Sequence, residues 1–301
     1  MGIEELLYNR LCDYEPLVNM LSKFDGRPAV FYQAAPDDGQ KGWNGKSQYP
    51  RLVYDIDMQA DTERKSSGTL LVALFCDRTG TEPEEIEPLV RGCLRDIFLK
   101  PDGSFPYCFA WAREEAFDMG GGIEQGGTKQ RGVIGEDIRF DILEFPTQET
   151  TDPDPIAALN QYMQEIYPEA YVIGLTHMDA VTEPEPKKPV IYCRLLRMEE
   201  TEVTNTVIWV DARVAVHVIC PSSEMRLKIA ADIGYRMASK AEIIMLDRSP
   251  MRPVRLSVDN TADYLQTGQI TVTLHYGLLR WMPQPHTIME VNISLNTLQE
   301  D

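Results

Sequence analysis

The chain has few basic residues for its length. Its 301 residues contain 29 lysines and arginines against 47 aspartates and glutamates, so the formal net charge is -18. A surface of this sign repels phosphate, which argues against binding nucleic acid through charge neutralisation. It suits a well-solvated protein, or a wall that DNA passes without adhering.

Long apolar runs and paired cysteines are also absent. No run approaches the roughly 20 apolar residues of a membrane-spanning helix. The six cysteines lack CxxC spacing and most lie in apolar stretches, so reduced thiols are expected. The start MGIEELLYNRLCDYE is acidic and amphipathic, unlike a signal peptide, and Leu6 stands where myristoylation requires Ser or Thr. We therefore expect a soluble intracellular protein.

Histidine is scarce, and no catalytic group of residues is visible. His177, His217, His275 and His286 have no Cys or carboxylate at a metal-ligand spacing, so satisfied or solvent-facing histidines are expected. His217 and Cys220 lie three residues apart on a predicted strand, which points them to opposite faces. The sequence predicts no active site, cofactor or metal, and an enzyme acting on a small metabolite is the weaker hypothesis.

A glycine-rich stretch, MGGGIEQGGTKQRGVIG, lies between two predicted strands. A phosphate-binding loop requires GxxxxGK[ST] between a strand and a helix, so this stretch does not qualify. Two interpretations stay open: a flexible solvent loop, or a segment that orders against a neighbouring subunit. In the second case the contact residues are Gly122, Gly126, Gly127 and Lys129.

One pattern is present twice. An apolar strand ending in cysteine, a polar break and an amphipathic helix occur in VALFCDRTGTEPEEIEPLVRGCLRDIF (72–98) and again in VAVHVICPSSEMRLKIAADIGYRM (214–237). The flanking strands also match, with YPRLVY beside KPVIYC and GEDIRFDIL beside GQITVTLHY. The identities are few, so the two halves share a plan rather than a recent copy.

This order predicts an α+β fold of two tandem similar domains. Each domain is expected to be a small antiparallel or mixed β-sheet packed by one long amphipathic helix, plus an N-terminal helix. The acidic, Thr- and Pro-rich TQETTDPDP (147–155) indicates the boundary. The predicted domains are 1–148 and 149–282, followed by a C-terminal extension at 283–301.

Side chains at three positions predict where helices begin. Thr81 with Glu84 predicts a capping box before the first amphipathic helix. Asp154 is predicted as the N-cap of the helix that opens the second half. Ser222 or Ser223 is predicted to cap the second amphipathic helix.

Two arginine clusters are candidates for contacts between subunits. Arg91 and Arg95 could pair with the acidic TEPEEIEP of a neighbour, although such acids are more often a solvated helix start. SPMRPVRLS places Arg248, Arg252 and Arg255 together in an otherwise acidic half. A solvent-facing loop and a partner-binding edge both fit this second cluster.

The last stretch, PQPHTIMEVNISLNTLQED (283–301), has partly alternating apolar positions, as an edge strand would. It either docks on its own domain or adds to the sheet edge of a neighbour. Its candidate contact residues are Ile288, Val291 and Ile293.

The order of elements resembles the tail terminator (tail-completion) proteins of long-tailed phages. The resemblance is carried by EELLYNRL, PAVFYQAAP, YPRLVYDIDMQ, TLLVALFCDRTGTEPEEIEPLVRGCLRDIF and a closing strand pair. It covers residues 3–146 and, more faintly, 153–282, and it rests on element order and apolar pattern. The family usually has one such unit, whereas this chain has two.

The resemblance implies a structural virion protein without an active site. It implies a homo-oligomeric ring that caps the tail tube protein, joins it to the head–tail connector protein and lets DNA pass without specific binding. The expected location is the virion neck, after assembly in the host cytoplasm and without a membrane. Six chains are favoured, and three chains with six quasi-equivalent units are the alternative. Rival hypotheses are a connector or other neck or tube subunit, and a cytoplasmic adaptor or binding module.

Overall fold

The computed structural model describes residues 1–37, 43, 45–59, 66–120 and 132–280. The α-helices are α1 Ile3–Asp13, α2 Glu15–Val18, α3 Pro83–Leu94, α4 Pro155–Ile166 and α5 Ser223–Ser239, and a short 3-10 helix lies at Gly45–Gln48. The strands are β1 Lys23–Phe24, β2 Arg27–Pro28, β3 Val30–Tyr32, β4 Arg51–Met58, β5 Gly68–Asp77, β6 Phe98–Leu99, β7 Tyr107–Asp118, β8 Val133–Glu144, β9 Tyr171–Val172, β10 Val181–Thr182, β11 Val190–Val203, β12 Val207–Ile219, β13 Ile243–Ile244, β14 Pro250–Val258 and β15 Ile270–Leu279.

Sheet 1 has seven strands in the order β10-β6-β7-β8-β5-β4-β3. Its β3–β4 pair is parallel, and its other pairs are antiparallel. Alternate residues of its strands, such as Leu74 and Phe140, are buried in one core with Leu7 of α1 and Val90 of α3. One face of sheet 1 is therefore covered by helices, because apolar side chains alternate along its strands.

Sheet 2 has six strands in the order β13-β14-β15-β12-β11-β9. Its β9–β11 pair is parallel, as β3–β4 is in sheet 1. Val214 and Val272 lie in a second core with Leu159 of α4 and Ile233 of α5. In both sheets, the face opposite to the helices is called the outer face.

Apart from β10, the two sheets share one strand order. Sheet 1 reads β3-β4-β5-β8-β7-β6, and sheet 2 reads β9-β11-β12-β15-β14-β13. The registers also match, since Leu52 pairs with Leu74 in sheet 1 and Ile191 pairs with Val218 in sheet 2, all four being buried. Positions in one sheet can therefore be compared with corresponding positions in the other.

The predicted fold class is wrong. The molecule is mostly β, with 42% strand and 23% helix, and its two large sheets curl into half-barrels; they are not small sheets packed by one long helix in tandem domains. One reason is that β11 and β12 are long, with 14 and 13 residues. An apolar pattern in the sequence marks only the buried part of each strand, so the sheets are larger than the sequence predicts. A second is that β10, from the second half, pairs with β6 of sheet 1.

Two of the three predicted helix N-terminal caps form in the structure. Asp154 caps α4 as predicted, accepting a hydrogen bond from the backbone N–H of Ile156 at 2.8 Å. Ser222 caps α5 as predicted, accepting from the N–H of Met225 at 3.3 Å. The capping box predicted for α3 does not form, because Glu82 is the N-cap and makes no side-chain cap bond.

Candidate functional site

The two half-barrels meet in an apolar core of their own, the inter-sheet core. The Phe145 ring lies 5.2 Å from that of Phe98 and 5.2 Å from that of Tyr192, edge-on in both cases. The Tyr192 hydroxyl donates a hydrogen bond to the carbonyl of Pro146 at 2.9 Å. The buried members are Phe98, Cys108, Leu143, Phe145, Ile173, Met178, Val190, Tyr192, Ile219 and Leu265.

The inter-sheet core uses different surfaces of the two sheets. Sheet 1 contributes the side formed by β6, β7 and β8, whereas sheet 2 contributes the start of β11 and the end of β12. The paired Val190 and Ile219 of sheet 2 correspond to the paired Arg51 and Phe75 of sheet 1. A contact between non-identical surfaces of equivalent units is heterologous, and it leaves one unmatched surface on each unit.

The sheet edges show the same asymmetry. Strand β10 adds to β6 at the edge of sheet 1, while the corresponding edge strand β13 has no outer partner among the described residues. Ile244 on that strand and Leu246 just after it are 53% and 58% exposed. The second half therefore covers an edge of the first, and no described residue covers its own edge at β13.

A buried carboxylate lies where the two halves join. Asp96 is fully buried, follows α3 and has a left-handed backbone with φ of 60°. Its Oδ1 accepts a hydrogen bond from the Tyr264 hydroxyl at 2.6 Å. Arg95 and Arg226 lie 3.7 Å and 3.9 Å from Oδ2. Burial raises the pKa of Asp96, although Tyr264 and the two arginines act in the opposite direction.

His217 packs against the inter-sheet core from the sheet 2 side. It is 1% exposed, and its Nδ1 lies 2.9 Å from the carbonyl of Tyr264. Since a carbonyl only accepts, Nδ1 carries the proton, and Nε2 has no hydrogen-bond partner among the described residues. Burial lowers the pKa of His217 to about 4, so the ring is neutral at pH 7.

Arg91 and Arg95 line a groove of about 530 Å³ between α3 and the loop that joins β14 to β15. The Arg91 guanidinium lies 5.2 Å from the centre of the Trp111 ring. It also lies 3.4 Å from a carboxylate oxygen of Glu87 and 3.9 Å from one of Glu114. The charge of Arg91 is thus balanced within the chain, and its pairing with a neighbour stays a prediction.

The structure separates the second arginine cluster. Arg248 lies in the turn between β13 and β14, with a left-handed φ of 71°. Arg252 and Arg255 lie on β14, both exposed, and pair in register with His275 and Thr273 on β15. These two arginines share the outer face of sheet 2, while Arg248 belongs to a separate turn.

Seven other candidate contact residues fall outside the described residues. They are Gly122, Gly126, Gly127, Lys129, Ile288, Val291 and Ile293.

The outer face of sheet 1 carries an acidic row. Asp57 pairs with Thr69 across β4 and β5, and Thr69 pairs with Asp141 across β5 and β8. Asp57 and Thr69 are exposed and Asp141 is half-buried. Within the described part of the chain, neither side-chain carboxylate forms a hydrogen bond or an ion pair.

The corresponding row of sheet 2 is basic. Arg197 pairs with Arg213, Arg213 with Thr273, and Thr273 with Arg255. These four residues border a depression of about 570 Å³. Arg197 forms an ion pair with Glu199. Among the described residues, the guanidinium groups of Arg213 and Arg255 have no ionic or hydrogen-bonding partner. At the corresponding positions Asp57 and Arg197 the two sheets therefore carry opposite charges, whereas Thr69 corresponds to Arg213 and Asp141 corresponds to Thr273.

The described part of the chain was searched for metal-binding groups, reactive thiols and membrane-spanning helices. No group of three or more His, Cys, Asp or Glu residues there is placed to hold a metal ion. Burial raises the pKa of Cys76 and of Cys93 to about 12, so both thiols are protonated at neutral pH. None of the helices there has both the length and the apolar character needed to cross a bilayer.

Sequence reasoning missed the residues that join the halves. Asp96 in LRDIF sits among apolar residues, and that interruption was the only available signal. Tyr264 lies in the polar stretch DNTADYLQ, where nothing distinguishes it from a solvent loop. His217 is expected from the sequence to be a satisfied or solvent-facing histidine, and no local pattern places it at this junction.

A scan of protein-family models and a search of curated proteins both find no match to this chain.

Proposed function

We propose that the protein is a structural subunit, a tail terminator that closes into a ring, caps a tail tube and joins it to the head connector. The observation that supports this most is the heterologous contact between two sheets of one strand order. Heterologous contacts build rings when the rotation between units closes, and filaments when it does not. The resemblance in element order to tail terminators favours the closed ring.

A ring of six chains is favoured over a ring of three. Three chains would repeat the inter-sheet contact between neighbours, so that all six sheets were quasi-equivalent. In the repeated contact, the corresponding residues Arg252 and His275 would occupy the positions of Cys108 and Leu143. Arg51 would occupy the position of Val190. Burying arginines on both sides without partners costs several kcal/mol. Six chains that associate through other surfaces avoid this cost.

The proposed partners are copies of the chain, the tail tube protein and the head–tail connector protein. DNA passes through the channel of the ring without specific binding, which the net charge of -18 favours. The proposed location is the neck of a virion or a phage-derived particle. The role needs no cofactor and no membrane.

The first test is the mass of the purified protein by light scattering, with negative-stain images of the same peak. The images should show closed rings, and the mass should correspond to six chains. The protein is then added to purified tail tubes, where density at one tube end is expected. Filaments would instead favour a tube subunit, and a monomer that ignores tail tubes would favour an adaptor.

The predicted C-terminal arm has its own test. Removing residues 283–301 should reduce the fraction of protein in rings, measured by light scattering at one concentration. Unchanged assembly would contradict the arm and leave the ring itself unaffected.

A further inference from the structure

The outer face of sheet 2 presents two arginines that form no ion pair with any described residue, although Glu199, Asp211 and Asp259 line the same depression. Arg213 and Arg255 flank Thr273, are both exposed, and form no ion pair within the described residues. The chain has 18 more acidic than basic residues, so such cations find carboxylates easily when the fold allows it. Arg197 of the same row does so through Glu199. The two guanidiniums lie on hydrogen-bonded strands of one sheet, which hold their spacing, and a shift of register precedes Arg255 on β14.

The same chain carries a matching surface. The acidic row sets Asp57 and Asp141 on either side of Thr69 on the outer face of sheet 1. Thr69 corresponds to Arg213, and Asp141 corresponds to Thr273, since the paired strands share one register. In each row, two like-charged residues lie on the two strands that flank a third strand, and a threonine on that middle strand lies between them: Thr69 between Asp57 and Asp141, and Thr273 between Arg213 and Arg255. The rows match in spacing and oppose in charge.

We infer that the basic row of one copy of this chain docks on the acidic row of the next copy. Arginine guanidiniums bind carboxylates through paired, charge-assisted hydrogen bonds, which makes the contact both attractive and specific in register. An arrangement that set either row against the same row of another copy would bring like charges together, so such rows repel. In the proposed ring the contact is heterologous, with the basic row of each copy facing one neighbour and its acidic row facing the other.

This interface rests on one part of the proposed function, namely that copies of the chain associate with one another. It adds the surfaces that associate and the type of force between them. A nucleic acid is disfavoured as the occupant of the basic row because the chain as a whole repels phosphate. A second copy supplies carboxylates at the required spacing.

The decisive experiment is sedimentation velocity of the full chain and of charge-reversed variants, from low salt to about 1 M NaCl, where the Debye length falls to about 3 Å. The wild-type oligomer should dissociate as salt rises. R213E/R255E and D57R/D141R should each raise the dissociation constant at least about a hundredfold at low salt. The control K23E/K187E changes charge by the same amount as R213E/R255E, at exposed lysines outside both rows, and should behave as wild type.

Complementation tests the pairing of the two rows. R213E/R255E has two acidic rows and D57R/D141R has two basic rows, so an equimolar mixture should recover the oligomer. The quadruple variant D57R/D141R/R213E/R255E exchanges the charges and should recover it alone. Circular dichroism checks folding, and the neutral variant R213Q/R255Q replaces any reversal that fails to fold.

Three results would overturn the inference. The wild-type protein could stay monomeric at every salt concentration, or the charge-reversed variants could associate as tightly as wild type. The equimolar mixture and the quadruple variant could also both fail to form the oligomer. Binding of Arg213 and Arg255 to the tail tube in place of a second copy would also overturn it. Rings that cap tubes despite the reversals would leave the terminator function standing. Charge-dependent rings that ignore tubes would leave this interface standing and remove that function.

Discussion

The two sheets are built on one strand order and present different surfaces. Their buried positions are alike, as at Leu52 and Ile191, because alternate apolar residues must face the helices in both. Their outer faces differ: Phe145 corresponds to Gly277, and the acidic row corresponds to the basic row. Packing against the helices thus requires similar residues at the helix-facing positions of both sheets. Positions on the outer faces are not bound by that packing, so they differ between the sheets and make different contacts.

The largest effect is expected where one sheet packs against the other. Phe145→Ala should lower the free energy of unfolding by about 3–5 kcal/mol, because it empties a buried site between Phe98 and Tyr192. The measurement is urea unfolding followed by fluorescence. Tyr235→Ala, at a residue 73% exposed, should change it by less than about 0.5 kcal/mol. Equal effects of the two substitutions would contradict the inter-sheet core as a source of stability.

Acid should weaken the same junction through His217. Its pKa is about 4 in the folded state and 6.5 when unfolded, so the unfolded state binds the proton first. Stability is complete above pH 6.5 and falls by about 3 kcal/mol as the pH drops to 4. His217→Asn keeps a donor for the Tyr264 carbonyl and should remove this dependence. The difference between variant and wild type, measured across that range, should change with pH; a constant difference would contradict it.

Asp96 should give the opposite pH dependence, with a smaller size because three neighbours offset its burial. Its folded pKa is raised above 3.8, so stability is greatest below that value and is lost as pH rises through the folded pKa. Asp96→Asn keeps an acceptor for the Tyr264 hydroxyl. The variant should gain stability relative to wild type between acid and neutral pH, in urea titrations at each pH. A relative loss over that interval would refute the assignment.

The smallest effects are expected at the helix starts. Asp154→Ala should cost about 1 kcal/mol, because two N–H groups of α4 lose their acceptor. Ser222→Ala should cost less, since Ser222 accepts one longer bond at the start of α5. Glu82→Ala at the uncapped start of α3 is the matched control and should cost little. Thermal unfolding ranks the three, and a cost at Glu82 equal to that at Asp154 would contradict the capping assignments.

Local signals predicted much of the chain. Asp154 and Ser222 mark helix starts because a short acceptor side chain satisfies free N–H groups wherever the helix lies. The apolar period of α3 and α5 likewise depends on neighbours three and four residues away. The stretch AYVIGLTHMDAV (170–181) reads as one strand, whereas the structure has two strands of two residues there, β9 and the start of β10, each held by pairing with a distant partner.

The candidate site was less predictable than the fold. Arg252 and Arg255 were identified as a cluster from their proximity along the chain, and both lie on one face. Their relation to Arg213 and Arg197 arises from register between strands more than 15 residues apart, which no local pattern contains. Asp57 and Asp141 form a row for the same reason.

The sequence by itself determined the negative charge, the helix starts and the buried alternation that selects strands and helices, because each depends on composition or near neighbours. Tertiary structure alone decided the curl of the two sheets, the pairing of β10 with β6 and the burial of Asp96 and His217. It also decided which charges stand side by side on an outer face. Those features depend on register and on contacts between distant segments, and a one-residue change of register would send the same side chains to the other face.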